Sequence, residues 1–306
     1  MLGVLQGFAL ILGIIGAGYL TALFGVVKGE QRRVLNNVAF YVATPALLFS
    51  VLHTSDPSVL LSPVILVTSI SALLVAGVFV LASRLWFKRD LASTTLGATC
   101  AGYVNSNNLG LPVAAYVAPL LRVQLVFFAP GMLALLAITR APGRDPGDPA
   151  TRAGLARGGL VALGRAASNP VILASIAGFL VALVHLPIPE IVMAPIDMLG
   201  NAAIPMVLLS FGISLRGQRA LAPGSGQAAV FTASGIKVLL MPLLAWSIGT
   251  LWGLTPHEVF VATTIAALPT AQNVYNYAAT YRRAETMVRD TVFLTTFASL
   301  PVIAAV

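Results

Sequence analysis

The chain is short of charge. Only 9% of its 306 residues are charged, against 58% hydrophobic, whereas soluble domains carry about a quarter charged residues. So few charges cannot coat a water-facing surface, and with a mean hydropathy of +0.92 the chain reads as an all-α polytopic membrane protein. Cysteine is nearly absent: Cys100 is alone, which excludes an intrachain disulfide and a thiolate metal centre. The three histidines, His53, His185 and His257, fall near the ends of apolar runs. No metal and no cofactor is therefore expected. Enzyme signatures are missing as well. There is no HExxH helix, GxSxG elbow, P-loop or Asp-rich motif, and no enzymatic activity is expected. The net charge of +8 invites nucleic acid, but the basic residues sit in short clusters between apolar runs rather than along one face. No nucleic-acid partner is expected.

What is present is a series of apolar segments. Ten have the length of about 20 residues needed to cross the hydrocarbon core: 2–26, 35–53, 59–87, 92–118, 121–140, 167–186, 191–215, 227–253, 257–281 and 286–306. The seventh is expected to begin with an interfacial stretch around Asp197. The first has no basic stretch before it and exceeds a secretory signal's apolar core of about 7–15 residues, so it reads as a retained helix.

Basic residues give the orientation. Taking alternate connections, beginning with the one after the first segment, collects sixteen of the eighteen Lys and Arg; of the others, Arg122 lies on the opposite side and Lys237 within segment eight. This predicts ten spans in a cytoplasmic (inner) membrane with both termini outside. The longest connection, 141–166, is rich in Pro, Gly and Arg and reads as a cytoplasmic linker between halves 1–140 and 167–306. Five spans per half require the second copy to be inverted. Matching patterns support a repeat: Thr44-Pro45-Ala46-Leu47-Leu48-Phe49-Ser50 with Ile204-Pro205-Met206-Val207-Leu208-Leu209-Ser210, and Ala114-Ala115-Tyr116 with Ala278-Ala279-Thr280-Tyr281. The second match lays Asn105 on Pro269.

Two polar clusters interrupt corresponding segments of the halves. Segment four contains Asn105-Ser106-Asn107-Asn108-Leu109-Gly110-Leu111-Pro112, and segment nine Pro269-Thr270-Ala271-Gln272-Asn273-Val274-Tyr275-Asn276. Such residues break membrane helices, and freed backbone groups are tolerated there only against protein, water or ligand. Paired broken helices mark the substrate sites of secondary transporters. The candidate substrate residues are Asn105, Asn107, Asn108, Gly110, Pro112, Pro269, Gln272, Asn273, Tyr275 and Asn276. Amides that only glue helices together are the competing reading.

Lys237 lies well inside segment eight. A lysine there either partners a carboxylate in transit or snorkels to the headgroups, and both readings stay open. Asp56, Glu190, Asp197 and Glu258 fall near span ends, so no buried acidic proton relay is expected.

At Asn36 to Phe49, Asn105 to Pro112, Gly200 to Pro205 and Ala267 to Asn273, the chain resembles the auxin efflux carrier family, which includes bacterial malate and malonate carriers and belongs to the bile acid/sodium symporter-like superfamily. The resemblance implies two inverted five-helix repeats, with helices 1, 2, 6 and 7 as a dimerising scaffold. Helices 3–5 and 8–10 would form a moving transport domain, with crossed breaks in helices 4 and 9 binding substrate. It implies an elevator-type carrier of a small organic anion, in membrane lipid, as a homodimer through the scaffold. A sodium-coupled bile-acid-type symporter is one alternative; a channel or receptor is another.

Overall fold

The computed structural model describes residues 2–27, 29–54, 62–105, 123–124, 128–139, 168–216, 221 and 226–306. All are helical or connect helices, apart from one β-bridge between two breaks. In chain order the helices are α1 (Leu2–Leu23), α2 (Gly29–Val38), α3 (Thr44–Leu52), α4 (Pro63–Ala82), α5 (Leu91–Gly102), α6 (Ala129–Thr139), α7 (Pro170–Leu183), α8 (Glu190–Ser214), α9 (Gln227–Gly235), α10 (Met241–Leu251), α11 (Pro256–Ala267), α12 (Asn273–Tyr281) and α13 (Glu285–Ala305).

Proline shapes two of the long rods. Its ring crowds the carbonyl four residues earlier and it lacks an N–H. A wider, π-helical turn relieves this ahead of Pro45, at Ala39–Ala43 between α2 and α3, and ahead of Pro242, at Ile236–Leu240 between α9 and α10. In each, the N–H closing the turn donates five residues back, Thr44 to Ala39 and Met241 to Ile236. The rods therefore continue past their prolines. A third such turn, Ser83–Phe87, extends α4.

Among the described residues six helices are long and apolar enough to cross a membrane: Gln6–Leu23, Glu30–Leu52, Pro63–Phe87, Glu190–Ser214, Gln227–Leu251 and Glu285–Ala305. The fourth, fifth, sixth and ninth expected segments contain the shorter helices α5, α6, α7, and α11 with α12. Trp86 and Trp252 stand exposed at the ends of two rods, the position that amphipathic rings favour at a membrane interface. The seventh segment differs from expectation. It is helical without interruption from Glu190 through Pro195 and Pro205, and Asp197 accepts a hydrogen bond from the Ser50 hydroxyl on α3. The second rod starts earlier than expected, which puts Arg32 and Arg33 on a helix. Their polar turn extends the rod beyond its apolar stretch.

Packing forms two groups. Along α8 lie α1, α2 and α3, with α7 against α3. In the other, α10, α11 and α5 pack on α4, α6 and α9 on α5, and α13 against α9 and α12. Helix α12 also touches α2 and α8, so it sits at the border.

Because lipid tails are as apolar as the side chains, close backbone approach must supply much of the helix association. The α1–α8 crossing shows it. A Cβ added to Gly212 would fall 2.0 Å from the Ile15 carbonyl oxygen, and one added to Gly18 would fall 2.3 Å from that of Leu209. Gly212→Ala should therefore cost about 1–3 kcal/mol, the usual cost of overpacking, read as a lower melting midpoint in detergent. Gly13→Ala, where nothing lies within 4 Å, should leave the midpoint in place. Equal behaviour of the two variants would contradict this crossing.

Candidate functional site: the crossing of two broken helices

Helix α5 stops at Gly102 and the chain turns extended at Tyr103 (φ −85°, ψ 119°). Helix α11 stops at Ala267 and the chain turns extended at Leu268 (φ −60°, ψ 148°). The second stop is favoured by the sequence: a residue before proline is biased out of the helical region, and Pro269 has no N–H to continue the ladder. Both stretches are buried, with Tyr103, Val104, Asn105, Leu268 and Thr270 at most 1% exposed.

Extended backbone buried in this way must find partners. The two breaks supply them to each other. Val104 and Thr270 form an antiparallel bridge. The Asn105 N–H donates to the Pro269 carbonyl (2.8 Å), and the Ala271 N–H donates to that of Tyr103 (3.4 Å). The Thr270 hydroxyl donates to the Cys100 carbonyl (2.7 Å), capping the end of α5, and the Thr270 N–H donates to the Thr295 hydroxyl (3.2 Å). The Gln124 amide, in the orientation that satisfies both partners, brackets Val104, donating to its carbonyl (2.9 Å) and accepting from its N–H (3.1 Å).

Lys237 completes the arrangement. It is fully buried, and its Nζ donates to the Ala266 carbonyl (2.8 Å) with Met241 Sδ at 3.0 Å. The last carbonyls of α11 have lost their helical partners at the break, and the negative end of the helix dipole lies there. An ammonium group answers both. Burial removes the snorkelling reading, and the bond to Ala266 makes Lys237 a cap for a half-helix.

The expected substrate residues divide into three sets. Asn107, Asn108, Gly110 and Pro112 lie outside the described residues. Asn105, Pro269, Gln272 and Asn276 gather around the crossing and are buried, with Asn273 half-buried at the first turn of α12. Among the described residues, Gln272 Nε2 and both side-chain polar atoms of Asn276 have no hydrogen-bond partner. Tyr275 turns elsewhere: its hydroxyl donates to Glu285 Oε1 (3.0 Å) and accepts from Arg32 Nη1, and its ring meets Phe211 edge-on at 5.2 Å.

Several residues escaped the sequence reading. A buried carboxylate is present: Asp290 on α13, 1% exposed, accepts from Arg289 Nε (2.9 Å) and Nη2 (2.6 Å) and from the Leu221 N–H (3.0 Å). Asp290 is not among the carboxylates weighed in expecting no buried acidic proton relay; here it is neutralised by the adjacent Arg289. Asn36 was visible only as part of a family motif. It is 4% exposed and donates to Thr280 Oγ1 (2.9 Å) and the Asn276 carbonyl (3.3 Å).

The capping role of Lys237 is testable without substrate. Lys237→Met leaves the Ala266 carbonyl buried and unpaired, at a cost of about 1–3 kcal/mol. The ligand-free variant should melt lower than wild type; an unchanged midpoint would contradict the cap.

The chain is similar to known transport proteins along most of its length. A family model described as "Membrane transport protein" matches residues 4–119 and 158–306. A "Putative malonate transporter" of Rhizobium meliloti (strain 1021) is 30% identical over 305 residues, covering 94% of this chain and 90% of that protein. An "Uncharacterized transporter" of Methanothermobacter thermautotrophicus is 26% identical over 300 residues, covering 95% and 93% respectively. With the family model spanning most of the chain, this multi-pass membrane protein belongs to the auxin efflux carrier family of membrane transport proteins.

Proposed function

We propose that the chain is a secondary transporter of a small organic anion, a mono- or dicarboxylate, across the cytoplasmic membrane. The observation that carries this is the crossing itself: two interrupted helices paired through their backbones, with the buried amides of Gln272 and Asn276 lacking partners among the described residues. Buried amide donors left open are costly unless something else accepts from them, and a carboxylate oxygen is a strong acceptor. The N-terminus of α12 adds a positive dipole end at the same place. The relative whose printed name specifies malonate supports a carboxylate.

Ten spans in two inverted repeats fit the same pattern. Helices α5 and α11 each span 12 residues and end just before their breaks. The paired backbone includes the Asn105–Pro269 bond, between residues that the internal sequence match makes equivalent. A two-fold axis relating the halves would pass through such a pair. The separation of the packing into a group around α8 and a group around α4 and α5 supports an elevator in which the second group moves against the first. The alternation of the basic connections supports termini on the outside.

Sodium coupling is less favoured. Carriers with broken helices use half-helix C-terminal carbonyls to hold sodium, and here the Lys237 ammonium already engages that end of α11.

Two outcomes are expected. Gln272→Ala and Asn276→Ala should each weaken malonate binding by about tenfold or more, since a hydrogen bond to a charged group is worth about 1.5–3 kcal/mol, measured by calorimetry on folded protein. Replacing sodium by choline in proteoliposomes should leave malonate uptake unchanged. Undiminished binding in both variants would remove the crossing as the site, and uptake that stops without sodium would favour the symporter.

A further inference from the structure

A second polar cavity opens at the border of the two helix groups. It has a volume of about 410 Å³ and lies between α2 and the α12–α13 corner, with Arg32, Arg33 and Arg282 in its wall beside Glu285, Asn36 and Thr280. Small-molecule sites run from about 300 to 1,000 Å³. Its charge balance is positive: three guanidinium groups face one lining carboxylate, and among the described residues Arg33 is held by an exposed pair with Glu30 at 3.3 Å. Such exposed pairs hold weakly.

Arg32 is the centre of the cavity. Its Nη1 donates to Glu285 Oε1 (2.5 Å) and to the Tyr275 hydroxyl, which itself donates to Glu285. Among the described residues only Nη1 is engaged, so the rest of a group built for two-point carboxylate recognition is open to the cavity. This contact also spans the border: Arg32 belongs to α2, Tyr275 and Glu285 to α12 and α13.

One face of α12 leads from the cavity wall at Thr280 towards the crossing. Thr280, Asn276 and Gln272 are spaced four residues apart and therefore stack along one side of the helix. Asn36 binds Thr280 and the Asn276 carbonyl at the cavity end, and the open amides of Asn276 and Gln272 follow towards the breaks. The stripe is buried throughout.

We propose that this cavity is a second carboxylate site, a loading site on the basic face, where Glu285 is the resident competitor that an arriving carboxylate displaces from Arg32. The proposal rests on the organic-anion reading above. Loading would exchange an internal carboxylate for an external one, keeping Arg32 neutralised while releasing the contact that ties α2 to α12 and α13.

The test is calorimetry of purified full-length protein with malonate at low and high ionic strength. The double variant Arg33→Gln/Arg282→Asn removes two cations without touching Arg32. Asparagine suits position 282, where φ is +54°, better than most residues. It should bind malonate about tenfold more weakly at low salt and lose most of the salt dependence of wild type. Glu285→Gln should do the opposite and tighten binding about threefold, because the competitor is gone. A merely structural role would make both variants weaker. Unchanged binding in the double variant, or weaker binding in Glu285→Gln, would overturn the loading site while leaving the transporter reading intact. Wild-type protein that binds neither malonate nor acetate would overturn both.

Discussion

The structure depends on a single constraint: a peptide group inside a membrane cannot be left without a partner. Each orphan costs several kcal/mol where no water reaches, so a helix can be interrupted at depth only if something nearby replaces its lost bonds. Here each interruption serves the other. Asn105 and Pro269, Val104 and Thr270, and Tyr103 and Ala271 share backbone contacts, while Thr270, Thr295, Gln124 and Lys237 supply the bonds that remain. Neither break could persist alone in this form. Their coexistence ties the two halves of the chain together and leaves the buried Nε2 of Gln272 and the amide of Asn276 without partners among the described residues.

The positions of the breaks were legible in the sequence because their causes are local. Pro269 biases Leu268 out of the helix, an outcome that Pro195 and Pro205 in α8 do not share, and a run of Asn, Gly and Pro is a poor continuation of an apolar helix. What the breaks bind to was not legible, since Val104 and Thr270 are far apart in sequence and neither has an unusual side chain. Lys237 illustrates the same division. Its position announced an expensive charge, but only the fold reveals that the carbonyl it reaches belongs to Ala266, at the end of a different helix. Arg289 and Asp290 were hidden for another reason: adjacent charges near a span end look like ordinary interfacial residues until packing buries both.

Helix α12 links these features to transport. One of its faces carries Gln272 and Asn276 from the crossing to Thr280 at the basic cavity, while Tyr275 points at Arg32 across the border between helix groups. A carrier must connect binding to movement, and α12 carries candidate substrate residues while touching both the α8 group and α13. The glycine crossing of α1 on α8 packs the other group closely, as the proposed movement of one group against the other requires.

The central claim is that the two breaks lie against each other. It is tested most directly by placing cysteines at Val104 and Thr270 in a Cys100→Ser chain with a protease site in the 141–166 linker. Antiparallel partners have Cα atoms about 4.5–5.5 Å apart, within the range of about 4.4–6.8 Å that a disulfide spans. After oxidation and cleavage, the account predicts that the two halves migrate together on a denaturing gel and separate on reduction. Halves that separate without reduction would contradict it.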